Sequence, residues 1–209
     1  MMSKNGGTLI REGEIAFDFI VAETDRLYLR EFNIGDVGAV FAYTGDEENT
    51  EFMEWGPESR EETESFVRSR LVSQLQSPRM YYDFAVCLKE TGELIGSIGL
   101  YLTEDRQQAD LGYIFNKAFW HCGYASEATE AMLRFGFMQL DLHRIRGVLD
   151  SEHTRCEAVV IRVGMRKEGE TKSSVQLNFH GRKQWRGQKH YAMLQKEFLN
   201  RLFDAENVM

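Results

Sequence analysis

The stretch best equipped for chemistry is ADLGYIFNKAFWHCGYASEATEAMLRFGF, residues 109–137. It joins an extended run, a tight connection through Gly123 and a helical pattern. The first four amides of a helix lack partners within it, and the helix dipole adds partial positive charge there. Such an end holds a phosphate oxygen when small side chains let the backbone come close. Gly123, Ala125 and Ser126 permit that approach. A plain turn would use the same glycine, so the stretch has to be weighed with its surroundings. The three cysteines, Cys87, Cys122 and Cys156, are widely spaced, odd in number and lack a Cys-x-x-Cys pair. That pattern points to neither a disulfide framework nor a zinc site, and no metal is expected.

The elements that must position this stretch are legible as patterns. RLYLREF (26–32) alternates as a first strand, and Asn33 is a candidate cap for a short helix reaching about Tyr43. Ser59 with Glu62 three residues on forms a capping box, opening a helix that carries Phe66, Leu71 and Leu75. YYDFAVCL (81–88) and LIGSIGLYL (94–102) read as strands joined by a glycine-containing hairpin turn. ADLGYIF (109–115) is a third strand, and Ala128, Met132, Phe135 and Phe137 mark the apolar face of the helix after it. RIRGVLD (144–150) reads as a strand, and 154–163 as a helix closed by Gly164. Two last strands are expected around a loop, FHGRKQWRGQKH. Its Arg182, Lys183, Arg186 and Lys189 read as a solvated hairpin tip or as a surface for an acidic macromolecule.

At 209 residues the chain reads as one domain able to bury about 70% of its unfolded surface without staples. The expected division is an extension over 1–22, the domain over 23–198 and a tail over 199–209. Ile15, Phe17 and Phe19 alternate as a short strand within the extension. Nothing repeats, and the order of elements is that of a mixed α/β domain. The net charge of −8 argues against nucleic acid, whose binding needs phosphates neutralised by Lys and Arg. It suits a cationic small substrate. No apolar run reaches the ~18 residues of a membrane span, and the N-terminal stretch has no apolar leader core, so a cytoplasmic location is expected.

Four ordered blocks give the sequence a relationship. ETDRLYLRE, ADLGYIFNKAFWHCGYASEA, LHRIRGVLDSEHTRCEAVVIRVGMRKEG and GRKQWRGQKHYAML together resemble the GNAT superfamily of acyl-CoA-dependent N-acyltransferases, most of all its ribosomal-protein, RimJ/RimL-like branch. The resemblance runs from about Glu23 to Phe198. It implies a twisted, mostly antiparallel sheet, flanked by helices and splayed where the third long strand meets a parallel neighbour. Acetyl-CoA would sit in that gap as co-substrate, its pantetheine bonded to the backbone of Ile114 and Phe115 beside Tyr113. The pyrophosphate loop falls on Trp120, His121, Cys122, Gly123, Tyr124, Ala125 and Ser126.

The resemblance also assigns candidate roles. An amine acceptor would attack the thioester directly in a ternary complex, with the oxyanion on an amide near Ile114. A lysine-like amine costs about 4 to 5 kcal/mol to deprotonate at pH 7, an α-amine only about 1. Asp110 stands where the family carries a carboxylate and is the implied base. Cys156 stands at the serine proposed to protonate the leaving thiolate, with Tyr191 as another donor. His153 replaces the asparagine that contacts pantetheine, and Val160 stands where many relatives have a tyrosine acid. Those departures leave a second class open, an acyl-CoA-binding module with weak turnover or none. Nine carboxylates between residues 45 and 65, against Arg60 alone, either collect cationic amines or form a solvated face. A homodimer is left open.

Overall fold

The computed structural model describes residues 20–179 and 182–206. Its strands are β1 (Ile20–Glu23), β2 (Leu27–Arg30), β3 (Tyr81–Leu88), β4 (Leu94–Leu102), β5 (Gln108–Phe115), β6 (Arg144–Asp150), β7 (Arg166–Phe179) and β8 (Arg182–Leu194). They form one sheet in the order β1-β2-β3-β4-β5-β6-β8-β7. Neighbours run antiparallel except β5 and β6, which are parallel. Phe84, Ala85, Val86 and Cys87 form an unbroken apolar run because both faces of β3 are covered. Helices α1 (Val37–Thr44) and α2 (Arg60–Gln74) cover one face, burying Val40, Tyr43 and Val67 against Ala85 and Cys87. Helices α3 (Tyr124–Met138), α4 (Thr154–Arg162) and α5 (Gln195–Glu206) cover the other. There Met132, Phe137 and Phe198 meet Phe84, Leu100 and Ile145. At Gly136 a Cβ would lie 2.7 Å from Ile145 and 2.8 Å from Leu100, so glycine lets α3 seat directly on the sheet.

Both predicted caps form. Ser59 accepts from the Glu62 amide while the Glu62 carboxylate accepts from the Ser59 amide, an arrangement worth about 1 kcal/mol. Asn33 caps a 3-10 turn over Ile34–Asp36 that leads into α1. The predicted face of α2 differs. The helix stops at Gln74, Leu75 is 88% exposed, and the buried stripe is Thr63, Val67 and Ser73. Small polar side chains fit there because Thr63 shares its hydroxyl with Thr44 and Glu58.

The boundaries also move. Ile20–Ala22 belong to β1, and α5 continues to Glu206 with Leu202 packed on the core. Ile15, Phe17 and Phe19 lie outside the described residues. The expected basic loop is mostly strand, because β8 begins at Arg182. Arg186 is spent on Asp150 and Lys189 on Glu157, so these two charges brace β8 rather than decorate a tip. Among the described residues no helix is long and apolar enough to cross a membrane.

Candidate active site

The sheet opens where β5 leaves β6. Their pairing covers only Gln108↔Arg144, Ala109↔Ile145 and Asp110↔Arg146; beyond it β5 continues to Phe115 and β6 to Asp150. Which backbone groups face the gap follows from the β4–β5 ladder, in which opposed residues alternately exchange both hydrogen bonds and none. The Asn116 amide donates to Ile95 and the Thr103 amide to Gln108. The bonded pairs in between are therefore Ser97–Ile114, Gly99–Gly112 and Tyr101–Asp110. Ile114 turns its amide and carbonyl toward β4. The groups facing the gap belong to Leu111, Tyr113 and Phe115, a one-residue correction to the expected backbone contacts. The Phe115 carbonyl already accepts from Asn49 Nδ2 at 2.5 Å and Trp120 Nε1 at 2.8 Å, which uses both lone pairs.

At one end of the gap lies the mouth of α3. Gly123 has φ +82°, a left-handed conformation that glycine adopts without strain, and it caps the helix without a side-chain bond. His121 is also left-handed, at φ +63°. Arg26 fixes the loop from outside: it donates to the Cys122 carbonyl at 3.0 Å, pairs with Glu127 at 2.6 Å and lies 4.6 Å over the Tyr124 ring. A cavity of about 420 Å³ runs from Gly123, Tyr124, Ala125 and Ser126 to Tyr113 and Cys156, with Ile114, Phe115, Trp120 and His121 also on its walls. Arg155 and Arg162 line it too, Arg155 stacked 4.1 Å over Trp120. The Ser126 hydroxyl and His153 Nδ1 are buried without a partner among the described residues. Such orphans cost about 1–3 kcal/mol each, and a ligand rich in amides and phosphate oxygens can satisfy them.

A second cavity, about 290 Å³, opens on the other side, and Met53, Tyr113, His153 and Cys156 line both. The Tyr113 hydroxyl donates to Cys156 Sγ at 3.1 Å. Burial pushes the Cys156 thiol up to about 11 and raises Tyr113 well above its usual value, so both stay protonated at neutral pH. His153 stacks on Phe52, ring centroids 4.3 Å apart. Burial, helped by the nearby Arg155 charge, lowers its pKa to about 4, and the ring is neutral at physiological pH.

The structure gathers most of the residues the sequence singled out, with three outside. Asp110 lines neither cavity; it pairs with Arg146 at 2.8 Å on the partly exposed sheet face. Tyr191 donates to Glu157 at 2.7 Å and lines neither cavity, its pKa raised to about 12 by burial and that carboxylate. Cys122 is exposed beside the first cavity and contributes its carbonyl to Arg26. Of the acidic run only Glu54 lines a cavity; Asp46 and Glu48 hold Lys117, Glu62 caps α2 and Glu64 holds Arg68. Sequence reasoning missed Asn49, which is buried and clamps Phe115 and Lys117. It also missed Met53, Arg155 and Arg162. Nothing in their spacing marks them, because loop and helix bring them in from far away. Among the described residues no three His, Cys, Asp or Glu converge as a metal-ligand set.

A model of the Acetyltransferase (GNAT) domain matches residues 26–166, which span the splayed pair and the left-handed glycine at the helix mouth. The chain belongs to the GNAT acetyltransferase family. It is 31% identical over 175 residues to the uncharacterized N-acetyltransferase YnaD of Bacillus subtilis (strain 168), covering 84% of this chain and 97% of that one. A GNAT-family acetyltransferase from Bacillus anthracis has a crystal structure that matches with a TM-score of 0.73 and 30% identity, over 84% of this chain and 98% of its own. Spermidine N-acetyltransferase from Vibrio cholerae, solved with CoA and spermine, shares the fold at TM-score 0.72 and 20% identity, over 84% and 99%. Ribosomal-protein acetyltransferases are among the other solved neighbours. The eight-stranded sheet and its flanking helices are thus a GNAT fold, and this GNAT chain is an acyltransferase.

Proposed function

We propose that this GNAT protein moves an acetyl group from acetyl-CoA to a primary amine by direct attack. The observation that carries the reading is the meeting of two cavities at Tyr113, His153 and Cys156. The larger one suits the nucleotide thioester. The amides of Gly123 to Ser126 would hold the pyrophosphate, with Arg155 and Arg162 adding charge on the walls. The gap-facing Tyr113 carbonyl and Phe115 amide would hold the pantetheine arm as an added strand, and His153 Nδ1 would accept from one of its amides. When bound, acetyl-CoA supplies an activated acyl carbon and a thiolate leaving group.

The chain's own residues supply orientation and protons. The gap-facing Tyr113 amide would receive the developing oxyanion, the kind of preorganised donor worth about 3–4 kcal/mol. Because Tyr113 donates to its sulfur, Cys156 keeps its own S–H free for the leaving sulfur. A thiol with a pKa of about 11 is a poor nucleophile near neutrality, which favours direct attack over an acetyl-cysteine. Among the described residues the carboxylates on the second cavity are Asp150, both of whose oxygens Arg186 holds, and Glu54, which is exposed, so neither is a free base at the transfer point. The acceptor therefore sheds its proton on entering the desolvated pocket, where burial lowers an ammonium pKa. In the test, acetyl-CoA raises the melting temperature of the purified protein, and free CoA thiol appears when amines are added. Absence of both effects refutes the proposal; stabilisation without thiol release leaves only a binding module.

A further inference from the structure

We infer that the acceptor is a small amine with one cationic nitrogen on an apolar body, an inference that rests on the acetyl-transfer reading above. The second cavity is where such an acceptor must lie, since it meets the first at the transfer point. Its apolar walls away from that point include Phe52, Trp55, Val148, Leu149, Val175 and Leu177, with Gln188 an uncharged polar side chain among them. Two carboxylates line it, and neither offers an inner site for a second cation. Asp150 has one oxygen held by Arg186 at 2.8 Å and by the Glu152 amide at 2.8 Å, and the other by Arg186 at 2.9 Å; its charge is matched. Glu54 is exposed.

A second ammonium reaching into this cavity would lose its water against valine and leucine without gaining a partner, which disfavours it. A hydrocarbon body in the same place gains about 25 cal/mol per Å² buried. At about 30 Å³ per water, the 290 Å³ holds roughly ten non-hydrogen atoms. That admits a short alkylamine or arylalkylamine, or the first residue of a peptide with an apolar side chain.

The test uses the full chain with saturating acetyl-CoA and thiol release as readout. Straight-chain monoamines from propyl to hexyl differ in apolar length at nearly constant basicity. On this inference kcat/KM rises roughly fourfold per methylene, about sixty-fold across the series. Each α,ω-diamine falls at least tenfold below the monoamine of equal length. Peptides beginning with leucine or serine separate the two sources: a leucine preference matching the alkyl slope assigns a peptide terminus, while poor turnover of both assigns a free amine. Trp55 is 49% exposed, so Trp55→Ala is expected to fold and to flatten the slope toward hexylamine. A flat series, a diamine preference or an unchanged Trp55→Ala profile overturns the inference while acetyl transfer stands. No thiol release with any amine overturns both.

Discussion

Replacing His153 by asparagine tests whether the junction between the two cavities is held neutral by burial. The ring's pKa falls from its ordinary 6.5 to about 4, because burial and the Arg155 charge penalise the imidazolium. Above pH 6.5 neither folded nor unfolded chain carries charge at this ring, and its protonation adds nothing to stability. Below that pH the unfolded chain takes up a proton that the fold refuses until about pH 4, so stability falls with acidification. The full gap corresponds to about 3 kcal/mol, of which about 2 has been lost by pH 5. His153→Asn removes this contribution and leaves all other titrations in place. Urea unfolding at pH 7.5 and 5.0 should show wild type losing about 2 kcal/mol more than the variant between the two conditions. The ring resonances of His153 should stay unprotonated at pH 5.5 in NMR titrations. Parallel losses in wild type and variant, or a ring titrating near 6.5, would refute the buried neutral imidazole.

Cys156 should alkylate more than a hundredfold more slowly than an ordinary thiol at pH 8, since a pKa of about 11 leaves about one part in a thousand as thiolate; peptide mass mapping should find Cys122 modified first. Cys156→Ala should lower kcat while leaving acetyl-CoA affinity within about twofold by calorimetry, and loss of affinity would assign the thiol to packing. Gly123→Val places a β-branched residue at φ +82°; a cost of about 1–2 kcal/mol should lower the melting temperature by several degrees and weaken CoA binding. Asp110→Asn breaks a half-exposed pair worth no more than about 1 kcal/mol and should leave turnover within about twofold. A tenfold fall in kcat would return that carboxylate to the reaction.

The strands were legible where both faces are buried and the apolar run is long, as in 81–88 and 94–102, and where apolar residues alternate, as in 144–150; the observed limits of all three equal those read from the sequence. The mouth of α3 was legible because its residues are consecutive, from Trp120 to Ser126. The acceptor side was not. Its walls come from the loop at 52–55, from β6 and from β7, and no local spacing encodes that convergence. Ile114 was chosen one residue out because strand direction alone does not say which amides are spent on β4; only the ladder phase decides it. The basic segment looked like a loop because Gly181, Gly187 and four charges resemble turn chemistry, yet Asp150 and Glu157 hold Arg186 and Lys189 flat in β8.

The two cavities are built from different materials, and that difference governs what each can tolerate. The cofactor side relies on backbone: the gap-facing edge of β5 and the unpaired amides of α3. Side chains there can vary provided Gly123 keeps its left-handed turn, which accommodates the unusual His121 and Cys122. The acceptor side is made of side chains, so substitutions at Trp55 or Val148 should change which amine is taken while sparing acetyl-CoA affinity. Asn49 ties the two together. Its amide nitrogen holds the Phe115 carbonyl and its oxygen accepts from the Lys117 amide, fixing the acidic segment across the end of β5. Truncation to alanine would leave the Lys117 amide without this acceptor and free one lone pair of Phe115. Asn49→Ala should therefore loosen both cavities at once, raising the KM for amine and the Kd for acetyl-CoA together. Trp55→Ala should move the first alone, and an Asn49→Ala variant that behaved like Trp55→Ala would show that the brace serves the acceptor side only.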